Sequence, residues 1–193
     1  MSEVREISPD NFQMLASFIQ KEAGIVLKPE KRQVVSLKLK PLVEGWGLKD
    51  LDDLVLHVYR QRHNPEVVDA VLNALTIKET SFFRDRRPFE ALQTRILPAL
   101  SEARGGRQLK IWSAACSTGQ EPVSLAITLN EALGKPGSDT LVQGQIVGTD
   151  VSAAAVARAK EGVYGDLEIR RGVTPDIRRR YFQEVEGGWK PLP

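Results

Sequence analysis

The chain has 193 residues, and its contents of 41% hydrophobic and 27% charged residues are ordinary for a water-soluble globular protein. A formal net charge of +2 excludes a polycation, so an acidic partner would have to be met by a local basic patch. One cysteine cannot form an internal disulfide, the N-terminus is too polar for a signal peptide, and no apolar run approaches the ~20 residues of a membrane span. These features predict a cytoplasmic protein without membrane insertion.

Residues 1–76 carry four helical patterns joined by short turns. Ser8-Pro9 and Asn64-Pro65 combine an N-cap residue with a first-turn proline, and both pairs predict helix starts. The second helix begins near Pro29, and Pro41 is expected to bend or end it. This domain is therefore predicted to be an all-helical bundle. The residues predicted to face its core are Phe12, Leu15, Ile19, Leu51, Leu54, Val55, Val58, Val68, Val71, Leu72 and Leu75.

Residues 77–90 are interpreted as a connector between two domains, because adjacent aromatic and densely charged residues there follow no clear period. A helix with Phe89, Leu92 and Ile96 on one side comes next. The rest of the chain, 91–193, alternates between strands and helices, which predicts a parallel sheet in a Rossmann-like α/β domain. The predicted order is strand 109–113, helix 121–133, a loop from Gly134 to Gly144, strand 146–150, helix 152–161 and a short helix around Pro175 flanked by arginines.

The stretch WSAACSTGQEPVS, residues 112–124, runs from the first strand through small residues into a helix. Small side chains let a ligand approach the backbone, and first-turn N–H groups of a helix have no partner inside it. The stretch lacks the glycine spacings of dinucleotide and phosphate loops and contains no lysine or arginine, which predicts a ligand with little phosphate. Cys116 is interpreted as a small residue that the turn tolerates, since the only histidines, His57 and His63, lie in the helical region.

Three charged side chains can each be interpreted in two ways. Asp150 follows the second strand, where it is either an acceptor for ribose hydroxyls or a helix cap. Glu121 is either a contact to a cationic ligand or an ordinary carboxylate at a helix start. Arg84 is either solvated or a bidentate grip on a carboxylate. In the second helix, the basic residues Arg32, Lys38 and Lys40 form either a solvated face or a dock for an acidic partner.

Three segments in the same order resemble the chemotaxis receptor methyltransferases, the CheR family: KETSFFRD at 78–85, WSAACSTGQEPVSLAI at 112–127 and GTDVSAAAVARAKEGVY at 148–164. The resemblance extends over nearly the whole chain. It implies S-adenosyl-L-methionine as cofactor, S-adenosyl-L-homocysteine as product, and methylation of glutamate side chains on the cytoplasmic helices of chemoreceptors. No metal and no nucleic acid are expected as partners.

The resemblance also implies individual roles. Arg84 is similar to the family's arginine beside the reacting methyl group, which makes it the candidate catalytic residue. The family usually has Asn where Lys78 stands and Tyr where Val123 stands. The candidate partner-binding residues are Arg32, Lys38 and Lys40. The residues expected to contact the cofactor are Lys78, Thr80, Arg84, Ala114, Ala115, Glu121 and Asp150.

Two strands are fewer than the about five or six of a doubly wound sheet, so we expect a truncated methyltransferase domain. By the resemblance, later family motifs are missing and the chain ends near Gly188-Trp189, inside a small β-subdomain that binds a receptor tail. The fragment is therefore either part of an enzyme or a non-catalytic module that binds S-adenosylmethionine or docks a partner. A nicotinamide oxidoreductase is disfavoured because the glycine fingerprint is absent.

Overall fold

A computed structural model describes residues 6–134 and 144–193 of the chain. The chain divides into two compact units, and each is described by itself. The first comprises Met1–Ile77 with Val151–Ala153, and the second comprises Lys78–Asp150 with Ala154–Pro193. The loop predicted between Gly134 and Gly144 lies outside the described residues.

The first unit is the helical bundle that the sequence predicts. The proline and cap signals mark the helix ends correctly: Ser8 is extended, Gly24 is left-handed with a φ of 68°, and the Asn64 side chain accepts a hydrogen bond from the Glu66 N–H. A 3-10 turn at Pro29–Lys31 precedes the second helix. The helices are α1 (Pro9–Ala23), α2 (Arg32–Gly45), α3 (Leu51–Arg60) and α4 (Pro65–Leu75).

The bundle core consists of the apolar stripes that helical spacing predicts, with one adjustment in α4. Val67 is buried, whereas Val68 is only partly buried and packs against the margin of the core. The face of α4 is centred on the line from Val67 through Val71 to Leu75, four residues apart. The predicted residue Val68 therefore lies beside the inward face and not at its centre.

Of the two expectations for Pro41, an end of the helix is wrong, because α2 continues through this proline to Gly45. Proline removes one intrahelical hydrogen bond, here to the carbonyl of Leu37. Leu37 and Pro41 are both exposed, so water can solvate that carbonyl. Leu42 and Val43, which follow the proline, pack against the bundle core and stabilise the helix beyond it.

The second unit begins with a helical segment that contains a π-helical turn: α5 (Arg87–Ala91), the π-turn (Leu92–Ile96) and α6 (Leu97–Ala103). The N–H of Leu97 donates to the carbonyl of Leu92, five residues back. This wider turn moves the apolar stripe by one position. Ile96, predicted to face inward, is therefore exposed, and Leu97 is buried in its place.

The predicted strand–helix–strand–helix order is confirmed, with ends shifted by one or two residues. Strands β1 and β2 pair in parallel, and Ile111 lies opposite Ile146. The sheet has two strands within the described residues, and large apolar side chains on it remain exposed, Trp112 by 71% and Val147 by 48%. The elements are β1 (Leu109–Ala114), α7 (Gln120–Leu133), β2 (Gly144–Thr149) and α8 (Ala153–Glu161).

Two short helices and a hairpin complete this unit: α9 (Asp166–Arg170), α10 (Pro175–Tyr181), β3 (Phe182–Val185) and β4 (Gly188–Pro191). The expectation that arginines flank the helix at Pro175 is wrong for 178–180, since these three lie within α10. Strands β3 and β4 pair antiparallel. A buried cluster joins the connector to α7, α9 and this hairpin, and its members are Phe82, Ile127, Tyr164, Ile169, Val173 and Phe182.

Candidate functional site

The turn between β1 and α7 has an alternating backbone. Ala115, Ser117 and Gly119 all have positive φ, at 61°, 48° and 97°. For the two residues that are not glycine, this conformation is strained, and such strain concentrates at functional sites. The turn is held against the second strand by the Cys116 N–H, which donates to the Thr149 carbonyl over 2.9 Å. The arrangement places a tight loop at the carboxyl edge of the sheet, with Ala114 and Ala115 exposed and Cys116 and Ser117 buried.

Asp150 lies against this turn. The N–H of Ser117 donates to its Oδ2 over 2.9 Å, so the carboxylate and the strained backbone are locked together. Ser117 is itself buried, and Asp150 follows directly after β2. Because β1 and β2 are parallel, the turn after one strand and the carboxylate after the other meet at the same edge, where α/β folds bind their ligands.

Glu121 is exposed in the first turn of α7. Its Oε1 accepts a hydrogen bond of 2.6 Å from the Oγ of Ser113, a buried residue of β1. This bond orients the carboxylate beside the turn, where the helix dipole also favours negative charge. Ala114 and Ala115, between Ser113 and Cys116, are exposed and present only methyl groups to a ligand.

The connector is fixed against the turn and α7. The carbonyl of Lys78 accepts a hydrogen bond of 3.3 Å from Ser117 Oγ, and the N–H of Phe83 donates to Ser124 Oγ over 3.0 Å. The ring of Phe82, between them, is buried in the core of the unit. The backbone of residues 78–83 therefore has a defined place beside the predicted cofactor residues.

Three predicted connector residues differ in what they contact. The side chain of Arg84 is exposed, and its Nη1 donates to the carbonyl of Glu79 over 3.0 Å. Lys78 and Thr80 line a cavity of about 220 Å³ beside the turn. Thus Lys78 and Thr80 lie at the turn that holds Asp150, whereas Arg84 folds back on its own segment.

Cys116 is 3% exposed, and burial, followed by the nearby carboxylate of Asp150, raises the pKa of its thiol. Thiolates are the reactive form of cysteine, so a thiol with a raised pKa is a poor nucleophile at neutral pH. This agrees with the interpretation of Cys116 as a small residue that the turn tolerates.

Tyr164 is a site residue to which the sequence assigned no role. Its buried hydroxyl donates to the carbonyl of Thr118 over 3.2 Å, and burial raises its pKa to about 12. A Cβ atom on Gly119 would lie 2.6 Å from this hydroxyl, so the turn has room for the tyrosine only because residue 119 is glycine. Tyr164 ends one of the family segments quoted above, but only the fold brings it to the turn.

The three basic residues of α2 do not form one face in the bundle. Arg32 pairs with Glu6 over 2.8 Å, and the Nζ of Lys38 donates to the carbonyl of Leu75, the last residue of α4, over 2.9 Å. Lys40 is exposed and has only a pairing of 3.8 Å with Glu44, one turn away on the same helix. Of the three, Lys40 is therefore the most available to a partner.

Within residues 6–134 and 144–193, no group of three or more histidine, cysteine or acidic side chains is arranged to hold a metal ion. In the same part of the chain, no helix is both long and apolar enough to cross a membrane.

Comparison with known families assigns both halves of the chain. Residues 10–76 match the CheR methyltransferase all-alpha domain, and residues 78–190 match the CheR methyltransferase SAM binding domain. These descriptions fit the helical bundle and the α/β unit that follows it.

Several curated proteins are similar over nearly all of the chain. A chemotaxis protein methyltransferase 1 of Pseudomonas aeruginosa is 42% identical over 95% of this chain and 66% of its own length. Chemotaxis protein methyltransferases of Vibrio parahaemolyticus and Escherichia coli are 39% and 31% identical, over 94% and 97% of this chain and 65% and 61% of theirs. The chain thus spans about two thirds of the length of these relatives. With both of its domains matched in order, the chain belongs to the CheR methyltransferase family.

Proposed function

We propose that this protein transfers a methyl group from S-adenosylmethionine to glutamate side-chain carboxylates on the cytoplasmic helices of chemoreceptors, forming glutamate methyl esters in the cytoplasm. The observation that carries the proposal is the hydrogen bond of 2.9 Å between the Ser117 N–H and Asp150, which holds a ribose-type carboxylate at the open turn. Membership of the CheR methyltransferase family and similarity to chemotaxis protein methyltransferases support the reaction class.

The residues at the turn fit the chemistry of this cofactor. It carries no phosphate, which suits a turn without lysine or arginine, and its ammonium group suits the carboxylate of Glu121. Its ribose hydroxyls suit Asp150, because a carboxylate accepts about four hydrogen bonds and can therefore serve Ser117 and a ligand together. Ala114 and Ala115 leave room for a ligand against the backbone.

When bound, S-adenosylmethionine supplies an electrophilic methyl group: a carboxylate oxygen bonds to the methyl carbon, the carbon–sulfur bond breaks, and its electron pair stays on the sulfur of S-adenosylhomocysteine. A glutamate with a reference pKa of about 4.3 is already ionised at neutral pH, so no residue of this chain has to remove a proton. The task of the chain is to orient the carboxylate and exclude water. Arg84 is proposed to grip the carboxylate, since its bond to Glu79 uses only one of its N–H groups.

A second candidate function is a non-catalytic module that binds S-adenosylmethionine or docks a partner. The observation that favours it lies on α2, where the exposed apolar residues Val34 and Leu37 accompany the exposed Lys40. A mixed apolar and basic helix face is typical of a docking surface for an acidic amphipathic helix. Such a surface would serve a receptor substrate and a regulatory partner equally.

Calorimetry with S-adenosylhomocysteine on the wild-type chain and on Asp150→Ala tests the cofactor site. We expect the loss of the carboxylate to weaken binding about tenfold or more. Glu102→Ala, which removes an exposed carboxylate of α6, is the matched control and should bind like the wild type. Equal affinity of Asp150→Ala and the wild type would contradict the ribose assignment.

Transfer is then tested with methyl-labelled cofactor and a chemoreceptor cytoplasmic domain. A glutamate methyl ester releases methanol in mild base, which distinguishes it from methylation at nitrogen or at a thiol. Base-labile label in the receptor would support the proposed enzyme. Cofactor binding without any transfer, in a chain that binds the receptor, would favour the docking module.

A further inference from the structure

The cavity of about 220 Å³ beside the turn has three walls that belong to the second unit. They are the connector at Lys78, Thr80 and Ser81, the start of α7 at Gln120, and helix α9 with Arg171, the residue that follows it. Arg84, Ala114, Ala115, Glu121 and Asp150 do not line it. Lys78 and Thr80, which line it, are also expected to contact the cofactor, so the cavity adjoins the proposed cofactor site without containing its two carboxylates.

Specific contacts hold each wall in place. The connector is tied to the turn by the Ser117 hydroxyl, which donates to the Lys78 carbonyl. Helix α9 is tied to α7 by the Gln120 amide, which donates to Glu168 over 2.8 Å. Gly172, next to Arg171, lies so near the connector that a Cβ atom there would be 2.1 Å from the Phe82 carbonyl oxygen. The cavity is thus a formed feature with its charged groups already positioned.

The cavity carries unbalanced positive charge. Its one acidic residue, Glu168, is already satisfied by the Gln120 amide, by the Gly165 N–H over 2.8 Å and by Arg158 over 3.5 Å. Within the described residues, Lys78 and Arg171 have no carboxylate within 4 Å.

The hydroxyl groups of Thr80 and Ser81 make no hydrogen bond to any other group in the described parts of the chain. Lys78, Thr80 and Ser81 of the connector and Arg171, which follows α9, form a small anion-binding set.

We propose that the cavity holds a carboxylate side chain of the polypeptide substrate, distinct from the one that receives the methyl group. This inference rests on the proposed function. Leu167 at the rim is 84% exposed and offers an apolar contact to a polypeptide, which a small free anion would not need. Through Gln120 the cavity adjoins Glu121, the proposed contact of the cofactor's ammonium group. A segment lying across the cavity and the cofactor site would therefore present one carboxylate to Arg171 and another to the methyl group. Arg171 is therefore a specificity-determining residue for acidic segments.

The test uses the whole chain saturated with S-adenosylhomocysteine and two fluorescein-labelled helical peptides. One is rich in glutamate, and the other has glutamine in place of every glutamate. Fluorescence anisotropy should show tighter binding of the glutamate peptide. Arg171→Gln should weaken that binding about tenfold and reduce the preference for glutamate, since a charge-assisted contact is lost. Arg171→Lys, which keeps the charge, should recover part of the affinity.

Arg170→Gln is the matched control, because Arg170 is an exposed neighbour on α9 that does not line the cavity. It should change peptide affinity by no more than about twofold. Equal losses in Arg170→Gln and Arg171→Gln would reduce the effect to general charge and overturn the inference. A loss of S-adenosylhomocysteine affinity in Arg171→Gln would assign the cavity to the cofactor's own carboxylate and overturn it as well.

The same experiment separates this inference from the proposed function. If the wild-type chain fails to bind S-adenosylhomocysteine, the proposed function fails and the inference fails with it. If cofactor binding is intact but the two peptides bind equally, the cofactor site stands and the cavity does not recognise acidic segments.

Discussion

The hydroxyl of Tyr164 donates a hydrogen bond to the carbonyl of Thr118 across 46 residues of chain, over 3.2 Å. The tyrosine is 1% exposed, and Gly119 leaves it the room to approach. This contact joins the segment after α8 to the turn that holds Asp150. The turn is thus bonded to the buried phenol through Thr118 and to the carboxylate of Asp150 through Ser117.

Tyr164 makes the stability of the protein depend on pH in the alkaline range. Burial raises its pKa from 10.0 to about 12, so the folded protein keeps the phenol proton more tightly than the unfolded chain does. Its contribution is complete below pH 10.0, where both states hold the proton, and is lost as the pH rises through about 12. We expect the free energy of unfolding to fall by about 2 to 3 kcal/mol from this group across that range.

Urea unfolding at several alkaline pH values measures this slope. Tyr164→Phe should show a shallower fall than the wild type, after an initial cost of about 1 kcal/mol for the lost hydrogen bond. Tyr59→Phe is the control because the Tyr59 ring is 48% exposed, and it should keep the wild-type slope. Parallel pH curves for all three proteins would refute a role of the Tyr164 phenol.

Gly172→Ala should destabilise the second unit strongly. Its Cβ atom would lie 2.1 Å from the Phe82 carbonyl oxygen, which belongs to backbone and cannot swing away. We expect a loss of roughly 3 kcal/mol or more in the free energy of unfolding, together with weaker S-adenosylhomocysteine binding as the connector is displaced. Gly45→Ala, at a helical position with open space around the Cβ, should be neutral or slightly stabilising. Similar denaturation midpoints for the two variants would show that the connector gives way easily.

Substitutions at Lys38 and Lys40 should distinguish a structural role from a role in partner docking. Lys38→Ala removes the ammonium that bonds the Leu75 carbonyl at the end of α4, and we expect it to cost about 1 kcal/mol of stability. Lys40→Glu acts at an exposed position and should leave the melting temperature nearly unchanged while weakening receptor binding. Titration of a receptor cytoplasmic domain at low and high salt measures the second effect. Unchanged affinity in Lys40→Glu would leave this lysine as solubilising charge.

Arg84→Ala should lower methyl transfer far more than it lowers stability. Its exposed side chain contributes a single bond to the Glu79 carbonyl, so the fold should tolerate the change. Loss of a bidentate grip on the substrate carboxylate is expected to lower kcat/KM about a hundredfold. Arg104→Ala, another exposed arginine, is the control. Wild-type turnover by a folded Arg84→Ala protein would remove Arg84 from the mechanism.

Helical periodicity was enough to predict the bundle core, because its apolar stripes coincide with buried faces in α1, α3 and α4. It failed for the polar residues of α2. The sequence groups Arg32, Lys38 and Lys40 as basic residues of one helix, yet Lys38 donates to the Leu75 carbonyl. Ser36, on the same helix, is fully buried and accepts a hydrogen bond from the Ile7 N–H. Spacing alone cannot show that a small polar residue has a buried backbone partner.

The candidate site, too, could be predicted from the sequence only in part. Asp150 and Glu121 follow from the strand–helix order, since that order puts strand ends and helix starts at one edge of a sheet. Their partners Ser117 and Ser113 do not follow from it. The bond to Asp150 depends on positive φ at Ala115 and Ser117, residue types that rarely adopt it. The small residues therefore predict a turn, but not its backbone conformation.

The π-turn at Leu92–Ile96 contains one residue more than an α-helical turn, and the helix continues on both sides of it. An α-helix can accommodate one extra residue either by rotating everything beyond it or by widening a single turn. This helix has the widened turn. The residues before and after the turn consequently belong to two different helical phases, and Leu97, directly after the turn, is the first buried residue of this helical segment. Deleting one residue within the turn would restore a single helical phase, whereas inserting one more residue there would turn Leu97 towards solvent.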